Sequence, residues 1–275
     1  SKILKDIKPD IILSGFDIGA NLAVAIVGSH MNIPVAHLEA GEVTGTIDEP
    51  IRHSITKFSH LHFTTNKTAQ SRLIKMGENP NFIFNVGNSS LDEIIKLQKI
   101  SREKISQQFK LDPKKPYMVI LQHTVTSEID SVEQFIKETL NAVMESNMQA
   151  IIIHGNADAG GKRITKIIKN YNIKQFNSLS FETYINLLRH SSVLLGNSSS
   201  GIMEAPFLKI PSINIGTRQK GRLRQKSIID VGYDKNQIKK AIDKSVNNKQ
   251  FLNKIRLQHT PYGNGHTSEK IVKIL

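Results

Sequence analysis

A chain of 275 residues, 39% of them hydrophobic, has the length and apolar content for two domains with cores of their own, and it reads as neither disordered nor fibrous. The absence of cysteine removes disulfide frameworks and thiolate metal centres, and the lack of an 18-residue apolar run or a basic-then-apolar leader predicts neither membrane span nor signal peptide, leaving the cytoplasm as the expected location. The 37 basic and 24 acidic residues give a net charge of +13, but clusters such as Lys162-Arg163 and Arg218 to Lys226 are short and lack interleaved aromatics, so an anionic small molecule suits this chain better than nucleic acid.

In chain order, the short apolar runs 10–14, 34–38, 61–64 and 82–86 read as strands, each followed by a segment with helical spacing. A polar connector, Leu111 to Pro116, interrupts the pattern. It restarts with strands at 117–121, 150–154, 193–195 and 212–215. Repeated strand–helix alternation is the signature of βαβ units and parallel sheets, so the expectation is an α/β protein of two Rossmann-like domains, residues 1–112 and 113–275. Between the strands, spacing predicts a helix over 130–147 with Phe135, Leu140, Val143 and Met144 on one face.

The stretch from His37 to His53 is the densest in chemistry, with Glu39, Glu42, Asp48 and Glu49, two histidines and several turn residues between apolar segments. Glu39 falls at the end of a predicted strand, where open α/β sheets bind ligands. Asp48-Glu49-Pro50 reads as a helix start. A plainer possibility is that Asp48 caps the helix while Glu39 and Glu42 are solvated loop charges. Two later motifs also follow predicted strands. Gly196-Asn197-Ser198-Ser199-Ser200-Gly201 precedes a predicted helix at 202–207, whose N-terminus could receive a phosphate or could simply be an ordinary helix start. Arg218 could grip phosphates with its guanidinium, and Asp17 on its own reads as a loop or cap carboxylate.

Glu39 through Ile47-Asp48, Ile51 to Lys57 and Ser59 to Phe63 closely resemble the hydrolysing UDP-N-acetylglucosamine 2-epimerases of sialic-acid biosynthesis. So do, in the same order, Gln122 to Thr126, Gly155 to Gly160, Gly196 to Gly201 and Gly216 to Arg222. The resemblance implies the GT-B architecture, an active site in the cleft between domains, no cofactor and no metal, a UDP-sugar substrate and a homo-oligomer. It also implies a truncated N-terminal domain, since the family has further βα units and a phosphate loop upstream. A sheet built from its later strands alone would leave a strand edge open, and a chain of this extent is expected to be poorly soluble or inactive.

Carried over residue by residue, the resemblance makes Asp17, Glu39, Asp48 and His123 catalytic, and Asn156, Ser198, Ser199, Glu204 and Arg218 UDP-binding. Glu39 and Asp48 would serve elimination of UDP and Asp17 the hydration that follows. Glu204 matches the ribose-binding acid; Arg222 matches too and could equally be a surface charge. Tyr262 to Gly265 resembles the family's C-terminal motif, and the last helix is expected to pack on the first domain. The sequence departs from the family beside Asp17, where Ile18 replaces an arginine. That substitution keeps a 2,4-diacetamido-trideoxyhexose nucleotide open as substrate. A GT-B glycosyltransferase and a non-catalytic nucleotide-sugar binder are also compatible with these motifs.

Overall fold

The computed structural model describes residues 2–15, 19–155 and 160–275. The chain forms two units, one of Ser1–Ile95, Lys220–Leu223 and Pro261–Leu275 and the other of Lys96–Gln219 and Arg224–Thr260. The division at Ile95–Lys96 lies upstream of the expected 112–113. Residues beyond Lys96 go with the second unit because Ile105, Phe109 and Leu111 are buried in its core. The chain also re-enters the first unit twice, which a linear reading of patterns does not register.

In the first unit, α1 (Lys2–Ile7), β1 (Ile12–Ser14), α2 (Gly19–His30), β2 (Val35–Leu38), α3 (Asp48–Lys57), β3 (Leu61–Thr64), α4 (Lys67–Lys75), β4 (Ile83–Asn85) and α5 (Ser90–Lys96) alternate along the chain. The four strands form one parallel sheet in the order β1-β2-β3-β4. Val35 and Ala36 are neighbours on β2 and both are fully buried, in separate core clusters, as expected of a parallel strand covered on both faces. The C-terminal segment seals this unit: Asp92 accepts backbone N–H groups of Thr267 (2.9 Å) and Ser268 (2.6 Å), which start the final helix.

The second unit comprises α6 (Arg102–Gln108), β5 (Tyr117–Leu121), α7 (Val132–Glu145), β6 (Gln149–Ile153), α8 (Gly161–Ile168), β7 (Lys174–Phe176), α9 (Phe181–His190), β8 (Val193–Gly196), α10 (Glu204–Phe207), β9 (Ser212–Ile215), β10 (Ile228–Val231), α11 (Lys235–Asn247) and α12 (Lys249–Arg256). The last helix of the chain, α13 (Thr267–Ile274), belongs to the first unit. The sheet order is β10-β9-β8-β5-β6-β7, all parallel. This is the doubly wound order whose reversal point lies between β5 and β8. Edge strands β7 and β10 escape the sequence reading because Lys-Gln-Phe and Ile-Ile-Asp-Val are short and carry charge, as edge strands do.

On α7 the expected Leu140 and Val143 are buried, but they share the buried face with Val132 and Ile136 rather than with Phe135 and Met144. Met144 is 44% exposed, and Phe135 instead stacks on Tyr233 with ring centroids 3.6 Å apart. The helix is thus rotated by the demand of the sheet face formed by Met118, Ile120, Val193 and Leu195. Among the described residues, no helix is long and apolar enough to cross a membrane.

His37 on β2 and His62 on β3 are register partners, 0% and 2% exposed. His37 Nδ1 shares a hydrogen bond with Thr56 Oγ1 of α3 (3.1 Å). Burial, with His62 and then Arg52 and His53 close by, holds the His37 pKa down to about 3. Folding therefore keeps His37 neutral where an unfolded chain would bind a proton. Stability is full above about pH 6.5 and is lost as pH falls towards 3. Between pH 7.5 and 4.5 this linkage removes ~3 kcal/mol, so urea unfolding followed by circular dichroism should show a falling midpoint over that range. His37→Leu should flatten the fall; an equally steep decline in the variant would contradict the assignment.

Candidate functional site

The second unit offers a site at the place its topology predicts. β5 and β8 are paired with Leu121 opposite Gly196, and their ends lead into Gln122-His123-Thr124 and Asn197-Ser198-Ser199. Gly196 has φ +138°, and a Cβ there would lie 2.1 Å from Leu121 O, so only glycine lets the two strand ends approach this closely.

Asn197 stitches the junction together. Its Oδ1 accepts the His123 N–H (2.7 Å), its Nδ2 donates to the His123 carbonyl (2.9 Å), and its own N–H donates to Leu121 O (3.2 Å). Its carbonyl accepts from Arg218 Nη1 (3.3 Å) and Gln219 Nε2 (2.8 Å). One residue, 1% exposed, thereby registers the loops after three strands, β5, β8 and β9. In the sequence Asn197 stands out only as part of a motif; the signal for it is an amide between a strand end and a run of serines.

Around this junction is a cavity of about 500 Å³, lined among others by His123, His154, Gly155, Ser198, Ser199 and Arg218. Four of the residues anticipated from sequence, His123, Ser198, Ser199 and Arg218, are thus brought together. Burial, reinforced by the Arg218 guanidinium, pulls the His123 pKa down to about 4, so its imidazole is neutral near pH 7. Gly155 presses against it: a Cβ there would lie 2.9 Å from His123 Nδ1. Asn156 lies outside the described residues.

The helix expected at 202–207 is broken. Ser199–Gly201 forms a single 3₁₀ turn, with Ser198 Oγ accepting from Ser200 N (3.3 Å), and α10 is only four residues long. A strong helix dipole is therefore absent here, and anion binding would fall to Arg218 and the half-buried Ser198 and Ser199. Ser200 turns away and shares a hydrogen bond with Tyr184 OH (2.5 Å). Glu204 stands half-buried at the first position of α10. The Arg218 loop is held from behind, because Glu128 accepts from Thr217 Oγ1 (2.5 Å) and Tyr233 OH (2.6 Å). Nothing in the sequence points to Glu128, whose partners are distant along the chain.

In the first unit, Glu39 follows β2 with φ +56°, an uncommon conformation for a residue with a side chain. Its Oε1 accepts from Asn88 Nδ2 (3.0 Å), and Asn88 is itself 1% exposed. Asp48 occupies the first turn of α3 and accepts from Thr46 Oγ1 (2.7 Å), so it does not serve as the N-cap. Glu39 and Asp48 thus stand at the two ends of one loop. Asp17 lies outside the described residues. Two of the plainer alternatives are set aside here. Glu42 is no solvated charge: it is 2% exposed, and its Oε1 accepts from Thr65 Oγ1 and Asn66 Nδ2. Arg222 is no surface charge either, being 8% exposed with Nε donating to Val43 O (3.2 Å). Among the described residues, no group of three histidine or acidic side chains is placed to hold a metal ion.

The family model described as UDP-N-acetylglucosamine 2-epimerase matches residues 1–275. A Legionella pneumophila protein named UDP-N,N'-diacetylbacillosamine 2-epimerase (hydrolyzing) is 36% identical over 280 residues, covering 100% of this chain and 73% of that protein. A Neisseria meningitidis UDP-N-acetylglucosamine 2-epimerase is 36% identical over 248 residues, covering 89% of this chain and 66% of its own length. The chain therefore spans about two thirds to three quarters of these relatives. The crystal structure of a Neisseria meningitidis UDP-GlcNAc 2-epimerase bound to UDP-GlcNAc superposes with a TM-score of 0.84 at 19% identity, covering 99% of this chain and 78% of that one, a likeness of fold. Together with the parallel sheets, these matches agree with the expected GT-B type of fold and show that the chain belongs to the UDP-N-acetylglucosamine 2-epimerase family.

Proposed function

We propose that the protein is a hydrolysing UDP-N-acetylglucosamine 2-epimerase, releasing UDP and N-acetylmannosamine for sialic-acid-type sugar synthesis. The observation that carries this is the Asn197 junction, where His123, Ser198, Ser199 and Arg218 line one cavity at the reversal point of a doubly wound sheet. In this reading Arg218, Ser198 and Ser199 take the diphosphate, and Glu204 and Asn156 hold the nucleoside. His123, a neutral donor, faces the diphosphate or sugar.

The carboxylates of the first unit do the proton work. One of Glu39 and Asp48 removes the C2 proton while the C1–O bond breaks and its electron pair leaves with UDP. Water then adds at C1 of the glycal, and a proton returns to C2 from the opposite face, with Asp17 serving this second half. Charge-assisted bonds from Arg218 stabilise the departing diphosphate. The reaction needs no redox cofactor, and the guanidinium can supply the positive charge a metal would otherwise bring.

The similarity to the diacetylbacillosamine enzyme, at 36% over the whole chain, together with Ile18, keeps a second sugar in play: the 2,4-diacetamido-trideoxyhexose nucleotide. The reading also places the protein in the cytoplasm, with the nucleotide-sugar pool, as a homo-oligomer; light scattering on the eluted protein tests the latter.

Proton NMR of each sugar nucleotide incubated in D2O with the protein, once as this chain and once extended upstream to the length of its relatives, decides between the substrates. Release of UDP with a free 2-epimerised sugar deuterated at C2 is the expected result for the extended protein, and intact substrate in every arm would refute the reading. Glu39→Gln and Asp48→Asn should each lower kcat by about 100-fold or more while UDP affinity by calorimetry stays within threefold. Arg218→Met should weaken UDP binding by roughly 10- to 100-fold, the cost of losing a charged hydrogen-bond donor. Carboxylate variants with unchanged kcat would remove these residues from the chemistry.

A further inference from the structure

The loop joining β2 to α3 is held by three guanidinium groups on three successive carbonyl oxygens. Arg72 of α4 donates through Nη1 to Gly41 O, Arg52 of α3 through Nη1 to Glu42 O (3.3 Å), and Arg222 through Nε to Val43 O (3.2 Å). Arg52 and Arg222 are 1% and 8% exposed, and all six residues belong to the first unit. Carbonyls of an irregular loop ordinarily turn to water. Here each accepts from a cation, and bonds of that kind are roughly twice as strong as neutral ones.

The backbone they hold is under constraint. Glu39 has φ +56° and Gly41 φ +77°. Gly41 is pressed onto α4, where an added Cβ would lie 2.5 Å from Ala69 O. On the other side, Gly221 abuts Val43, and a Cβ there would lie 2.8 Å from Val43 Cγ2. Glu42 is anchored beneath by Thr65 and Asn66, and Thr44 N donates to Glu49 Oε2 (2.9 Å).

Two of the three arginines are near the loop along the chain, Arg52 on α3, into which the loop leads, and Arg72 on the following helix, α4. Arg222 is 179 positions from Val43 and arrives on the short segment Lys220–Leu223, four residues after Arg218. It is the remote anchor of the three, and it grips the loop midway between Glu39 and Asp48.

We propose that Arg222 is a positioning residue for these carboxylates: by fixing the Val43 carbonyl it sets the loop geometry in which Glu39 and Asp48 transfer protons, without touching the sugar. This rests on the proposed assignment of proton transfer to Glu39 and Asp48. A displacement of about 1 Å at reacting groups can cost on the order of 100-fold in rate, whereas the cavity assigned to the nucleotide is lined by residues of the second unit.

The test uses Arg222→Met and Arg222→Lys in the full chain, with two readouts. Hydrogen–deuterium exchange should rise in peptides covering residues 39–49 of Arg222→Met, while peptides from β5, β8 and β9 keep their protection. In the same variant kcat should fall about 10- to 100-fold, with UDP affinity changed less than threefold. Arg222→Lys, which keeps the charge but not the Nε–H, should show smaller changes of the same kind, and decides alone if the Met variant does not fold. Unchanged loop exchange overturns the proposal, as does raised exchange with undiminished kcat, or a loss of UDP affinity equal to the loss of kcat. Should the unaltered protein release UDP from neither sugar nucleotide, the epimerase reading fails, and the exchange result still decides whether Arg222 fixes the loop.

Discussion

In the second unit the pairing of β5 with β8 is the constraint from which the site follows. At this pair the winding of the sheet reverses, so the helices that follow the two strands pack on opposite faces and the strand ends open a crevice between them. Gly196 allows the ends to close up, and the side-chain oxygen, side-chain nitrogen, N–H and carbonyl of Asn197 all find partners among His123, Leu121, Arg218 and Gln219. A buried amide held in this way is rigid, because any movement would leave a polar group unpaired away from water. The loops it joins inherit that rigidity.

The first unit solves a different problem. The carboxylates proposed for proton transfer sit on an irregular loop with positive φ values, which by itself would be mobile. The loop is held instead by polar contacts placed behind it: guanidinium groups on its carbonyls, Glu42 buried against Thr65 and Asn66, and Asn88 on Glu39. Charged groups that look from sequence like solvated surface are thereby committed to the backbone. The same unit carries buried neutral histidines between its strands and helices, which ties its stability to pH in the range where histidine ordinarily titrates.

Eight of the ten strands among the described residues are legible as short, mainly apolar runs between turn residues. β7 and β10 are not, since Lys174 and Asp230 put a charge inside runs of only three and four residues. The rotation of α7 is hidden for a related reason: spacing defines several near-equivalent stripes, and the sheet beneath chooses the one led by Ile136 and Leu140. The helix after Ser200 is shorter than its sequence suggests because Pro206 and the 3₁₀ turn curtail it.

By itself the sequence determined the α/β class, the two-part organisation and the order of the loops that bear chemistry, since these depend on local periodicity and on residues adjacent in the chain. Only the tertiary structure decided that Asn197 joins three loops, that Glu128 supports the Arg218 loop, and that Glu42 and Arg222 are buried. Each of these is a contact between segments far apart along the chain, and burial of a charge depends on what the rest of the fold places around it, which no local pattern encodes.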